Sequence, residues 1–362
     1  MYNFQTTTPK TVNNFEFELP PHLEASEPPE ARGLQRDQVK LMVSHYGSDC
    51  IAHTQFRKIG CHLSAGDLLV INCSGTLNAA LEARRADGTR LELHLSTHLP
   101  ANLWSVELRE PGENGTTPFY TALAGESLCL PGNGRVTLHT PHNSQHRSGS
   151  KQVRLWIASL QLPLPVHDYL AAFGFPIRYS YVNQAWPAAY YQTVFANELG
   201  SAEMPSAGRA FTTELITQLV AKGVQIAPLI LHTGVASLED HEPPYEEYYR
   251  VPAATAALVN RAQQQGKRII AVGTTVIRAL ETVTDENKTT HAGSGWTDLL
   301  ITPQRSIRSA NGLLTGLHEP HATHFAMLQA LTGRQHIKLT YQTALAHEYL
   351  WHEFGDLHLI LP

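Results

Sequence analysis

The stretch RIIAVGTTVIRALETV, Arg268–Val283, reads as a buried strand that turns directly into a helix. Gly273-Thr274-Thr275 stands at the junction. Such a junction has two meanings. It is a turn with a helix cap, or it is a helix N-terminus whose N–H groups and hydroxyls meet a small anionic or polar ligand. The Lys of a nucleotide P-loop and the glycines of a dinucleotide loop are both missing here. Arg278, one turn into the helix, is placed either to meet a carboxylate or to face solvent.

Working outward, the same alternation recurs. FTTELITQLVAK (211–222) puts Leu215, Ile216, Leu219 and Val220 at helical spacing, and Gly223 ends that helix. VQIAPLILHTG follows as a buried strand. VPAATAALVNRAQQQG is a second helix, with Pro252 at its start and Gly266 past its end. Helix–strand–helix–strand at this spacing predicts an α/β layer with parallel strands, whose ligands sit at the carboxyl ends of the strands. His232-Thr233-Gly234 and Gly273-Thr274-Thr275 both fall at such ends.

Residues 66–160 follow another pattern. GDLLVINC, LEARRADGTRLELHLS, LWSVELRE and VTLHT are short runs of alternating or branched apolar residues, and Asp87-Gly88 marks a hairpin between two of them. The expectation is a mixed α/β fold: a discontinuous α/β domain from 1–65 and 161–362, with a β-barrel domain inserted at 66–160. VKLMVSHY (39–46) reads as a strand, HNSQHRSGSKQ (142–152) as a polar loop, and the apolar end of the chain as a strand tied into the core.

The 362 residues carry a net charge of -5, so no overall positive field draws the chain to nucleic acid. Cys50, Cys61, Cys73 and Cys129 form no CxxC pair and read as reduced, partly buried thiols. No run is long enough to cross a membrane and no leader is seen at the first residues, so a cytoplasmic protein is expected, with a monomer favoured.

Three further stretches hold chemistry. GSAEMPSAGRAFT (200–212) surrounds Pro205 with small residues that let backbone approach a ligand, or it is an ordinary loop. HEPPYEEYYRVP offers Glu242, Glu246 and Glu247 as a general base or as a solvated acidic loop. LHEPHATH holds His318, His321 and His324, but Ala322 and Pro320 break the HExxH helical pattern, so no metal is expected.

Beyond these readings, the chain resembles the S-adenosylmethionine:tRNA ribosyltransferase-isomerases of queuosine biosynthesis. FEFELP, GDLLVIN, YQTVFA, GSAEMPSAGRAFT, LILHTG, EYYRVP, RIIAVGTTVIRALE, GWTDLLITP, NGLLTGLHEPHATHFAMLQAL and FGDLHLIL carry the resemblance, in the family's order and over nearly the whole chain. It implies an α/β domain interrupted by a β-barrel. It also implies S-adenosylmethionine as ribosyl donor and the aminomethyl group of a 7-deazaguanine in tRNA as acceptor. The sulfonium would acidify the neighbouring C5′ hydrogens, so the site must hold the donor and position one base. Carried over to this sequence, the donor site is Ser206, Gly208, Phe211, His232, Thr233, Gly234, Gly273, Thr274, Thr275, Arg278 and Trp296. The catalytic candidates are His318, Glu247 and His232. The sequence departs from the family's Asp-Thr-Arg at Cys73-Ser74-Gly75 and from its Leu-His-Phe at Arg209-Ala210-Phe211. Tyr245 stands where a His would fall, and His321 where a Lys would. These departures leave two other readings open: action on S-adenosylmethionine with a small-molecule acceptor or by cleavage, and a non-catalytic protein that binds S-adenosylmethionine or RNA.

Overall fold

The computed structural model describes residues 17–112, 115–142, 153–235, 245–319 and 322–362. Ile269–Val272 is a strand with all four residues buried, near the centre of a nine-stranded sheet. The order across that sheet is Gly293–Thr297, Glu247–Val251, Gln225–Leu231, Leu68–Asn72, Ile269–Val272, Gly312–Gly316, Leu357–Leu361, Lys40–His45 and Cys50–Gln55. The four strands from Gln225–Leu231 to Gly312–Gly316 run parallel, as the helix–strand alternation predicts. The sheet is nevertheless mixed. Glu247–Val251 runs antiparallel to Gln225–Leu231, and Leu357–Leu361 antiparallel to Gly312–Gly316. Apolar pattern reports burial, not strand direction.

Side chains alternate between two cores. Leu68, Val70, Ala271 and Leu313 face helices Ala253–Gln264, Thr274–Thr282, His324–Thr332 and Arg334–Ala346. Leu69, Ile71, Ile270 and Leu314 face helix Thr213–Ala221. That helix is capped by Thr212, whose hydroxyl accepts from Leu215 N at 3.1 Å. It buries Leu215 and Leu219 but leaves Val220 55% exposed, because a second residue in the same turn rotates past the buried stripe. Pro252 is the N-cap residue of Ala253–Gln264.

The second sheet closes on itself. Leu155–Gln161, Gly134–Pro141, Ser127–Leu130, Ala80–Arg84, Arg90–Leu99 and Leu103–Gly112 follow one another, and the last pairs back with the first; Gly115–Pro118 extends the Leu103–Gly112 edge. Leu81, Leu93, Leu95, Val106, Leu108, Leu128, Val136 and Leu138 fill the barrel. The Asp87-Gly88 hairpin forms: Gly88 takes φ 89°, and Asp87 Oδ1 accepts from Thr89 N at 2.9 Å.

Two sequence boundaries move. Leu68–Asn72, placed at the start of the β insertion, is a central strand of the large sheet, buried on both faces. A short fully apolar run looks alike in a barrel and in a parallel sheet. Beyond residue 161, Tyr169 and Leu170 of helix Val166–Phe173 still pack into the barrel core. Cys50, Cys61 and Cys129 are exposed rather than partly buried, and all four cysteines are free. Most of the polar segment 142–152 lies outside the described residues.

Away from the strand ends, the Lys40–His45 and Leu357–Leu361 pair buries a polar chain. Ser44 Oγ meets His358 Nε2 at 2.7 Å and His336 Nε2 at 2.9 Å, and His336 Nδ1 reaches Asp49 Oδ1 at 2.7 Å. Ser44 and His358 are both fully buried.

Candidate active site

A cavity of about 490 Å³ opens over the carboxyl ends of the parallel strands. Four segments converge on it: Glu203–Ala207, Thr233–Val235, Val272–Thr275 with Arg278, and Thr315–Glu319. Gly273 makes the junction. With φ 102° and ψ 151° it turns the strand into helix Thr274–Thr282 without an intervening loop. A side chain there would be strained and would stand 3.5 Å from Ala207 Cβ. Gly273 is the N-cap, and among the described residues no side chain caps this helix, so its first N–H groups have no side-chain partner there. Thr274 and Thr275 both line the cavity, and Asn72 Nδ2 lies 3.5 Å from Thr275 Oγ1.

Asn72 fixes the neighbouring strand end. Its Nδ2 donates to Leu231 O at 2.8 Å, and its Oδ1 accepts from Leu231 N at 3.0 Å and Ser74 N at 3.1 Å. The amide thus extends the ladder to Leu231 and aims the next residues, Thr233 and Gly234, at the cavity.

Ser206, Thr233, Gly234, Glu247, Gly273, Thr274, Thr275, Arg278 and His318 are brought together around one space. Arg278 is not free there. Its guanidinium is ion-paired with Glu247 and donates to Leu299 O at 3.2 Å and Thr297 O at 3.3 Å. Glu247 in turn accepts from Gly234 N at 2.9 Å. The pair locks the edge strands to the helix, so Glu247 is a positioning group more than an open base.

Four expected residues lie off the cavity lining. Phe211 is fully buried, edge-on to Phe56 at 4.9 Å. Gly208 is buried beneath Phe195. Trp296 packs edge-on against Tyr248 at 5.7 Å. His232 is pinned between Ser74 Oγ, 2.7 Å from its Nδ1, and Glu198 Oε1, 3.6 Å from its Nε2. Burial holds its pKa down, against the pull of Glu198. These residues shape the strand ends from behind. A position next to a lining residue in sequence alternates away from it in space.

His318 lines the cavity. Its Nε2 meets Thr315 Oγ1 at 2.9 Å, and its ring stacks on His324 with centroids 4.3 Å apart. Burial, with His324 and His352 nearby, holds His318 well below the usual imidazole range. The surrounding protein and Arg278 hold His324 down to about 4, although its ring is open to the cavity. Both are neutral near pH 7. Among the described residues no group of three or more His, Cys, Asp or Glu is arranged to hold a metal ion. Glu242 and His321 lie outside the described residues, and Glu246 is exposed.

The far wall was not marked out by any motif. Tyr181, Glu319, His352 and Glu353 line it. Of these, only Glu319 stands in one of the chemistry-bearing stretches, LHEPHATH. Tyr181 and Glu353 meet across 172 residues, a separation that no local pattern reports.

Comparison with known proteins agrees with this geometry. Residues 12–360 match the family model described as queuosine biosynthesis protein. The chain belongs to that family. The S-adenosylmethionine:tRNA ribosyltransferase-isomerase of Moorella thermoacetica is 34% identical over 365 residues, covering 97% of this chain and 99% of the relative. That of Symbiobacterium thermophilum is 35% identical over 364 residues, with the same coverage. A crystal structure of the S-adenosylmethionine tRNA ribosyltransferase from Thermotoga maritima aligns with a TM-score of 0.51 at 30% identity, over 96% of this chain and 99% of that one. Membership in the queuosine biosynthesis protein family therefore covers both sheets and every segment that lines the cavity.

Proposed function

We propose that this chain is an S-adenosylmethionine-dependent ribosyltransferase-isomerase of queuosine biosynthesis, which transfers and isomerises the ribosyl unit of S-adenosylmethionine onto a 7-deazaguanine in tRNA. One observation carries the reading. The family-matching segments around Ser206, Thr233, Gly273 and His318, far apart in sequence, close around a single cavity at the sheet's carboxyl edge. Its size suits a ligand of this class.

The residues divide the work. The uncapped helix start at Gly273–Thr275 offers N–H groups and hydroxyls to the polar part of the donor. Arg278 and Glu247 hold the two edge strands in register around it. His318 is the proposed proton acceptor: it is neutral, one ring nitrogen engages Thr315, and it lines the cavity proposed to hold the donor. The sulfonium itself supplies the acidity of that carbon, so a weak base in fixed position suffices. His232, off the lining, supports the strand ends and takes no part in proton transfer. No described helix is long and apolar enough to cross a membrane, and a tRNA acceptor is consistent with action in the cytoplasm.

The test is adenine release from S-adenosylmethionine, with and without tRNA carrying the aminomethyl-deazaguanine. Release that requires this tRNA is expected. Release without it supports a cleavage or small-molecule reaction instead. Binding with no release would make the chain a sensor, and no binding at all would overturn the reading.

A further inference from the structure

The cavity has two chemically different ends. Strands Gln225–Leu231, Leu68–Asn72, Ile269–Val272, Gly312–Gly316 and Leu357–Leu361 are successive neighbours. At ~4.8 Å per strand, the Thr233 end and the loop before Leu357 stand roughly 19 Å apart. The Thr233 end carries hydroxyls, backbone amides and the closed Arg278–Glu247 pair. The other end is acidic and faced with rings. Tyr179 stacks on Tyr181 at 5.7 Å, and Tyr181 stacks on His352 at 3.8 Å with planes 10° apart. The Tyr181 hydroxyl donates to Glu353. Glu319, its side chain 57% exposed, stands at the cavity mouth.

Among the described residues no Lys or Arg is ion-paired with Glu319 or Glu353. His352, with a side chain only 5% exposed, sits between Glu24 and Glu319, each 3.5 Å from one ring nitrogen. Among the described residues its Nε2 has no hydrogen-bond partner. Burial holds this ring down to about 4, so it carries no charge at neutral pH. Arg209, whose charge acts on Glu353, is bound to Glu30. Burial pushes the carboxyl of Glu353 up. A site that keeps two carboxylates here without a cation of its own is matched to a ligand that brings donors.

We infer that this end is the acceptor subsite, where Glu353 and Glu319 receive the aminomethyl group and the N–H edge of the 7-deazaguanine. The inference rests on the proposed function and names which end takes which substrate. A guanine-type edge presents two adjacent donors, and the aminomethyl group brings a positive charge; both suit carboxylates. The adenine of the donor presents a ring acceptor beside its amino group, which a carboxylate repels. Glu319 stands where a base carried on tRNA has to enter. The ring stack holds Glu353 in place through Tyr181.

Glu353→Gln and Glu319→Gln keep side-chain size while removing charge. Wild-type transfer to precursor tRNA tests the function on which the inference rests, before either variant is made. Given that transfer, both variants should bind S-adenosylmethionine within about twofold of wild type by calorimetry. Transfer kcat/KM should fall about 100-fold for Glu353→Gln and about 10-fold for Glu319→Gln. Loss of S-adenosylmethionine binding in step with transfer would assign this end to the donor and overturn the inference, as would unchanged transfer. Glu319 is at the mouth, so Glu319→Gln remains decisive even where Glu353→Gln disturbs folding.

Discussion

Thr274 and Thr275 sit at the start of a helix that no side chain caps. Removing their hydroxyls therefore costs no cap. Thr275→Val should leave the melting temperature nearly unchanged without ligand, since its side-chain hydrogen bond among the described residues, with Asn72, is long at 3.5 Å. S-adenosylmethionine binding should weaken at least about tenfold, or about 1.4 kcal/mol, for either Thr→Val change. Calorimetry checks this; a variant that melts early yet binds as before would return the threonines to a purely structural role. At this scale the sequence was a partial guide. Gly273-Thr274-Thr275 was legible because strand, glycine and helix follow one another within a few residues. Arg278 was located but its partner was not, since Glu247 lies 31 residues away on an edge strand. Tyr181 and Glu353 carried no sign at all.

Among the elements, the end of Leu68–Asn72 decides how the site is held. Asn72 is buried and pairs with both backbone groups of Leu231. Asn72→Leu keeps the approximate volume but strips partners from a buried N–H and a buried C=O. A loss of about 2–4 kcal/mol of stability is expected by urea unfolding, together with weaker S-adenosylmethionine binding, because Thr233 and Gly234 follow directly. An Asn72→Leu protein as stable as wild type would show that the ladder holds its register without the amide. The sequence marked this strand as apolar but assigned it to the barrel. Five consecutive buried residues do not say which sheet buries them. The barrel's own hairpin, by contrast, is encoded locally in Asp87-Gly88 and was read directly.

For the molecule as a whole, buried histidines tie stability to pH. His358 is held down to about 3 by burial and by His336, and His352 to about 4 by burial. Their unfolded counterparts titrate near 6.5. The unfolded chain takes up these protons first, so the stability is fully present above pH 6.5 and is lost as pH falls toward the folded values. Each group contributes a slope of up to about 1.4 kcal/mol per pH unit. Glu353 and Asp356, whose carboxyls are raised by burial, act in the opposite sense. Comparing variants isolates one term: His358→Gln should flatten the unfolding free energy between pH 6.5 and 4.5 by roughly one proton. An unchanged slope would mean that the Ser44–His358–His336 chain accepts a proton without strain. The alternation of helices and strands was enough to read the mixed α/β class, because each element carries its own period. The meeting of segments as distant as Tyr181 and Glu353 at one cavity was not, because it depends on contacts made far apart in sequence.

The order of synthesis follows from where Leu357–Leu361 lies. The barrel strands, from Ala80 to Gln161, pair mostly with close neighbours in sequence, so they can assemble while the rest of the chain is still on the ribosome. Leu68–Asn72 cannot be covered then. Its partners begin at Gln225 and Ile269, and the strand joining Lys40–His45 to the sheet is translated only at Leu357. Leu68 to Ile71 therefore wait, apolar and unpaired, until Gln225–Leu231 has been made. That interval is when this protein is most exposed to aggregation, and when a chaperone has most to offer it.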